Sequence, residues 1–194
     1  YSVIDADGNV VSNTTTLNAA YGTGIVVSGA GFLLNDQMDD FSAKPGVPNL
    51  FGVVGGEANK VESGKRMLSS MSPTLVFDEQ NKLWLALGSP GGPTIITSVF
   101  QVISNKIDYG MSLAEAVGAP RFHHQWPPKE PGADAIRVES RREYALPAER
   151  LKELRAMGYA ITELPRLGDV QAVEIVGNRG IGVSDPRLIG RSVE

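Results

Sequence analysis

The sequence contains no cysteine in its 194 residues. Disulfides, thiolate metal sites and a cysteine nucleophile are therefore excluded, and the redox compartment is left open. Histidine is nearly as scarce: the chain holds 2, and they are the neighbours His123 and His124. No Ser lies beside a credible His partner, and no G-x-S-x-G occurs, so a Ser–His nucleophile pair is missing. No apolar run approaches the roughly 18 residues of a membrane-spanning helix. Positive charge is not in excess: 18 Lys and Arg face 22 Asp and Glu for a net charge of −4. The basic residues are scattered and form no stripe, which argues against nucleic acid as a partner.

What is present fits an ordinary globular chain, 42% hydrophobic and 21% charged, long enough for a single domain with a sizeable core. Tyr1 to Ile4 and Val10 to Leu17 read as a hairpin around the turn Asp5-Ala6-Asp7-Gly8-Asn9. Gly24 to Val27 and Gly31 to Leu34 read as a second strand pair. Residues 35–64 are polar, rich in Gly and Pro and without periodicity, a loop of the length that usually carries function. Pro73 to Phe77 and Leu83 to Leu87 return to strand character.

Pro93 suits the first turn of a helix, and Ile95, Ile96, Val99, Phe100, Ile103 and Ile107 then predict one apolar helical face. Ser112-Leu113-Ala114-Glu115 is a capping-box sequence for a short helix ending before Pro120. Pro147 to Met157 predicts a third helix closed by Gly158. Strands around Ala160 to Leu164 and Ala172 to Val176 precede a turn at Gly177 to Gly180. Pro127 to Ala135 reads as a linker. Hairpins with helices between and after them indicate an α+β layered fold.

Several stretches bear on chemistry. Asp5 to Asn9 starts like a calcium loop, but its Gly is misplaced and Thr16 stands where a bidentate Glu is required, so a plain turn is the better reading. His123 and His124 diverge in direction as neighbours and lack a third ligand, so no metal site is expected. Gly177 to Gly182 is not in dinucleotide-binding order and reads as a turn. In Thr14 to Asn18, strand alternation would point Thr14, Thr16 and Asn18 the same way. Asn35 to Asp40 gathers carboxylates and amides that can accept from an ammonium group, though such runs are usually solvated turns. Ser69 and Ser70 can donate to a carboxylate, or form a polar strand entry. Ser89-Pro90-Gly91-Gly92, between a strand and a helix start, lets backbone N–H groups approach an anion closely and is a possible oxyanion hole, or a tight turn. Anion donors and cation acceptors together suit a zwitterion.

The motifs TLN (residues 16–18), NDQMDDFSAKPGVPN (35–49), SSMSPT (69–74), GSPGG (88–92), APRFHHQW (119–126) and SDPR (184–187) resemble the small subunit of γ-glutamyltransferases (γ-glutamyl transpeptidases), in order and over nearly the whole chain. The resemblance implies an N-terminal-nucleophile hydrolase with an αββα sandwich completed by a large subunit, formed when a proenzyme cuts itself ahead of a Thr. That Thr would serve as nucleophile and, through its α-amine, as base. It would move the γ-glutamyl group of glutathione or a relative to an amino acid, a peptide or water. No cofactor is implied. Residue by residue, Thr16 would help activate the nucleophile, and Gly91 and Gly92 would form the oxyanion hole. Ser69 and Ser70 would hold the α-carboxylate; Asn18, Gln37 and Asp40 would hold the α-ammonium.

Pro45 to Gly56 would be a lid. The family pattern places the catalytic Thr three positions ahead of Tyr1, outside this sequence. Many bacterial members carry Tyr at the lid position held here by Phe51, so a hydroxyl latch to Asn18 is lost and the lid is expected to close by packing alone. Periplasmic or secreted location follows from the family only. Two alternatives stay open: a glutaryl amide or cephalosporin acylase-like hydrolase, and a non-catalytic paralogue that only binds γ-glutamyl ligands.

Overall fold

A computed structural model describes residues 1–126 and 135–192. The linker-like stretch predicted from Pro127 falls almost wholly outside the described residues. The chain divides into two compact units, one built from residues 1–14 and the described residues from 70 onward, the other from Thr15–Ser69.

In the first unit, β1 (Ser2–Ile4) pairs with β2 (Val10–Ser12) in antiparallel register, Ser2 opposite Ser12. The turn is set by Asp5, whose Oδ1 accepts the N–H groups of Asp7 (2.9 Å) and Asn9 (2.8 Å). A short acceptor side chain bonding the backbone two residues on is what makes Asp a turn former. β2 stops at Ser12, not at Leu17. The expectation that Thr14, Thr16 and Asn18 share a strand face fails with it. Asn18 takes φ 75°, a left-handed conformation that breaks the alternation, and Thr16 Oγ1 accepts the Asn18 N–H at 2.8 Å, closing a local turn.

β3 (Thr74–Phe77), β4 (Leu83–Gly88), β8 (Gln171–Val176) and β9 (Arg179–Ser184) form an antiparallel sheet in the order β3–β4–β8–β9. One face carries the core: Leu85, Leu87 and Ala172, with Val170 just ahead of β8, pack with Val99 and Val102 of α1 (Thr94–Ile107) and with Leu113, Ala116 and Val117 of α2 (Leu113–Gly118). The predicted apolar face of α1 is split. Ile95 and Val99 are buried, as is Val102 outside that predicted set, but Ile96, Phe100 and Ile107 are 55%, 66% and 59% exposed. One sheet covers only one stripe of a helix, and α1 has more apolar residues than that stripe holds. The α2 capping box is present in full: Glu115 N–H donates to Ser112 Oγ, and Ser112 N–H to the Glu115 carboxylate.

A second sheet joins β5 (Phe122–His124), β6 (Ala135–Glu139) and β7 (Ala160–Leu164), with β6 and β7 parallel. Parallel neighbours need a crossover, and α3 (Ala148–Ala156) lies in that connection. Strands β5, β6 and β9 are additions to the sequence reading. Gly177 (φ 62°) turns the chain between β8 and β9, yet Gly180 and Gly182 lie inside β9. A Cβ at Gly180 would meet Ile4 at 2.6 Å, so close strand approach rather than a turn explains that glycine.

Residues 15–69 fold without a named strand. Val26 bridges Leu33 and Pro48 bridges Val54, and short 3-10 turns occupy Gln37–Asp40 and Glu57–Asn59. The predicted pair Gly24 to Val27 and Gly31 to Leu34 survives as a ribbon held by Val27 N–H to Phe32 C=O (2.8 Å) and Leu34 N–H to Ile25 C=O (2.9 Å).

Candidate active site

In the first unit, β4 runs into Ser89-Pro90-Gly91-Gly92 and then into α1. Ser89 is 2% exposed; its hydroxyl donates to Pro90 C=O (2.8 Å) and accepts from Asp169 N–H (3.0 Å). Thr94 Oγ1 donates to Gly91 C=O at 2.8 Å, and Thr94 N–H reaches the same carbonyl at 3.1 Å. Gly91 has φ 138° and Gly92 φ 56°, values that L side chains disfavour. A Cβ at Gly91 would sit 2.5 Å from Thr94 Oγ1. Among the described residues neither the Gly91 nor the Gly92 N–H has an acceptor. Two unengaged amides on a rigid turn can donate to a developing oxyanion.

That turn is buttressed by Gly168, on which a Cβ would collide with the hydroxyls of Ser98 (2.7 Å) and Ser89 (2.8 Å). The loop bearing Gly168 is in turn held by four buried charges. Arg121 donates to Asp185 (2.7 Å) and to Leu167 C=O (2.9 Å). Arg187 donates to Glu139 through Nε (2.6 Å) and Nη2 (2.7 Å). Glu139 accepts Leu167 N–H, and Asp185 accepts Val170 N–H. Two positive and two negative groups balance, and each is 1% or 2% exposed. Burial pulls the Arg121 guanidinium pKa down. Burial also opposes charge on Arg187, but its bonds to Glu139 and the field of Asp185 carry that group's pKa upward. Sequence reasoning missed this network, although Arg121, Asp185 and Arg187 stand within the family-like motifs. Ser70 is half-buried at the entry to β3, its carbonyl accepting Ser72 Oγ at 3.0 Å.

His123 is buried, with Nδ1 on Thr97 Oγ1 (3.0 Å) and Nε2 on Gln125 Oε1 (3.0 Å). His124 is exposed and edge-on to Tyr159. The two rings diverge, as neighbours on a strand must.

In the second unit, residues Asn18, Gln37 and Asp40 are gathered around Asp36. Asn18 Nδ2 donates to Asp36 C=O (3.3 Å), and Ala19 N–H donates to Asp36 Oδ1 (2.9 Å). Gln37 Nε2 donates to Asp40 Oδ2 at 2.9 Å. A carboxylate only accepts, so the amide nitrogen faces Asp40 and Gln37 Oε1 points away; it is buried and has no partner among the described residues. Burial raises the Asp40 carboxyl above its ordinary range; the Gln37 bond opposes this, and Asp39 and Asp36 add to it. The acidic run is thus divided: Asp36 and Asp39 bind backbone amides, while Asp40 and Gln37 keep acceptors for a cation. Thr16 is exposed, and since its oxygen accepts from Asn18 N–H, its proton remains available to donate. Ser69, the last residue of this unit, is exposed.

Residues 46–55 close into a hairpin through Gly46 N–H to Gly55 C=O (2.8 Å) and Asn49 N–H to Val53 C=O (2.9 Å). Asn49 Oδ1 accepts the N–H groups of Phe51 (3.1 Å) and Val53 (2.9 Å). The hairpin also carries a polar contact: Leu50 N–H, one residue before Phe51, donates to Asp39 Oδ2 at 3.1 Å.

A family model described as gamma-glutamyltranspeptidase matches residues 1–194. The glutathione hydrolase proenzyme of Escherichia coli (strain K12) is 52% identical over 191 residues, which is 97% of this chain and 31% of that protein. Among solved structures, a gamma-glutamyltranspeptidase of Helicobacter pylori is 52% identical with a TM-score of 0.89, covering 97% of this chain and 98% of that one. The gamma-glutamyltranspeptidase of Pseudomonas nitroreducens complexed with L-DON is 49% identical with a TM-score of 0.89, covering 100% and 96%. This chain spans about a third of the length of the curated relatives it matches. With every residue matched to the family model and the fold shared at half identity, the chain belongs to the γ-glutamyltranspeptidase family and carries its N-terminal-nucleophile hydrolase fold.

Proposed function

We propose that this chain is the catalytic portion of an enzyme that transfers the γ-glutamyl group of glutathione or related compounds to amines or water. The observation that carries the reading is the Gln37–Asp40 pair: a bonded carboxylate beside a buried amide oxygen that has no partner among the described residues. Acceptors of that kind suit an α-ammonium, which a γ-glutamyl group has and a glutaryl group lacks. The glutaryl amide alternative is disfavoured for the same reason.

In this reading the nucleophile is the hydroxyl of a Thr that precedes Tyr1 in the longer protein, and its α-amine takes the hydroxyl proton. The hydroxyl oxygen attacks the γ-carbonyl carbon, and the Gly91 and Gly92 N–H groups stabilise the resulting oxyanion. Collapse expels the amine, which leaves with the proton, and the acyl group stays on the Thr until an amine or water attacks. Thr16 donates to the nucleophile, Ser69 and Ser70 donate to the α-carboxylate, and Asn18 joins Gln37 and Asp40 at the ammonium. Pro45 to Gly56 serve as the lid over the bound donor. A large subunit cut from the same proenzyme, and export to the periplasm or medium, belong to the same proposal.

Intact-mass measurement of the purified full-length protein tests it. A small chain beginning with Thr three positions ahead of Tyr1, and gaining one γ-glutamyl mass on rapid quenching with donor, is expected. An uncut protein that never acquires that mass makes the chain a binding paralogue.

A further inference from the structure

We propose that Asp39 is a positioning residue that ties the hairpin of residues 46–55 to the turn carrying Gln37 and Asp40. The inference rests on reading that turn as the ammonium site and the hairpin as a lid. Two contacts join the tip of the hairpin to Asp39. Leu50 N–H donates to the carboxylate, at 3.1 Å to Oδ2 and 3.4 Å to Oδ1. Asn49 Nδ2 donates to the Asp39 carbonyl at 3.3 Å. The tip itself is stiff, because Asn49 Oδ1 accepts both Phe51 and Val53 N–H, so holding Leu50 holds the whole tip.

The other side of the link is stiff as well. Asp39 lies in the 3-10 turn Gln37–Asp40, with its own N–H on Asp36 C=O at 3.0 Å. Phe41, directly after the turn, is 5% exposed, and the Asp40 carbonyl accepts Asn59 Nδ2 at 2.8 Å. Asp39 and Asp40 are therefore adjacent residues of one fixed turn with divided work: Asp40 faces the Gln37 amide, and Asp39 faces the hairpin. Phe51 offers no hydroxyl for a side-chain latch, and the backbone N–H beside it supplies one. What the latch needs from residue 39 is an acceptor at the right reach, not a negative charge.

Two opposed substitutions separate these needs in the full-length protein. Asp39→Asn keeps an acceptor oxygen and removes the charge; Asp39→Glu keeps the charge and displaces the acceptor by one methylene. Donor KM and kcat with a γ-glutamyl anilide are measured beside amide hydrogen exchange of residues 46–55. Asp39→Glu is expected to raise donor KM about threefold or more with kcat little changed, and to speed exchange in the hairpin by a similar factor. Asp39→Asn is expected to keep hairpin exchange at the unsubstituted rate, while the loss of its charge beside Asp40 moves the acid limb of donor kcat/KM to lower pH. Faster hairpin exchange in Asp39→Asn, or an Asp39→Glu with unchanged exchange, overturns the proposal. The exchange arm uses no substrate, so it judges Asp39 even if the protein turns over no γ-glutamyl compound.

Discussion

Asp40 combines two properties that set the pH behaviour of the proposed site. Burial lifts its pKa above the ordinary carboxylate range, and it must be ionised to hold an ammonium group. As pH falls, Asp40 therefore takes up its proton earlier than a solvated carboxylate would, and donor binding weakens with it. The kcat/KM of the donor should fall on the acid side with an apparent pKa above the usual carboxylate value, since this parameter reports the free enzyme. Asp40→Asn should raise donor KM by roughly 10- to 100-fold, the worth of a hydrogen bond to a charged group; an unchanged KM would remove Asp40 from the ammonium site. Gly91 is constrained differently. Its φ is 138°, and an added Cβ would lie 2.5 Å from Thr94 Oγ1. Gly91→Ala must therefore shift the turn, and displacing one oxyanion donor should lower kcat by about 100-fold or more with little change in KM. Steady-state kinetics on the purified variant check this.

At the scale of elements, one device holds the turn of Ser89 to Gly92 at a distance. The charge network of Arg121, Glu139, Asp185 and Arg187 fixes the Leu167–Val170 loop, and Gly168 of that loop packs against Ser89. Arg187→Met would leave two buried carboxylates facing one guanidinium, and should cost about 3 to 5 kcal/mol in chemical denaturation of the full-length protein. A loss below about 1 kcal/mol would mean that water reaches the network. The α2 capping box is a smaller, local device: Ser112→Ala should cost about 1 kcal/mol, read as faster amide exchange over residues 113–118. Both elements bear on legibility. The box is readable because its partners stand three residues apart, Ser112 and Glu115. The network is not, because Glu139 and Arg187 are 48 residues apart and nothing near Glu139 in sequence announces a buried partner.

Over the whole molecule, legibility follows the kind of interaction that makes each part. Where the core sheet and its helices bury apolar side chains, periodicity predicted β3, β4, α1 and β8 nearly at their ends. The outer flank of α1 misled it, because apolar spacing does not say how much of a helix a sheet will cover. Residues 15–69 are instead organised by side chains bonding backbone, as Asp36, Asp39, Asn49 and Asn59 do. Such bonds leave no period, so Asp39 read as one more solvated acid. The family motifs identified the candidate residues; the structure divided the acidic run into acids that bond backbone amides and an acceptor pair, Gln37 and Asp40, bonded to each other.

The central claim is that this acceptor pair selects a donor bearing an α-ammonium. Comparing kcat/KM for an L-γ-glutamyl anilide and the matching glutaryl anilide on the full-length protein tests it most directly. A preference of about 100-fold or more for the γ-glutamyl donor is expected, collapsing in Asp40→Asn. Equal turnover of the two donors, or a preference untouched by Asp40→Asn, would contradict it.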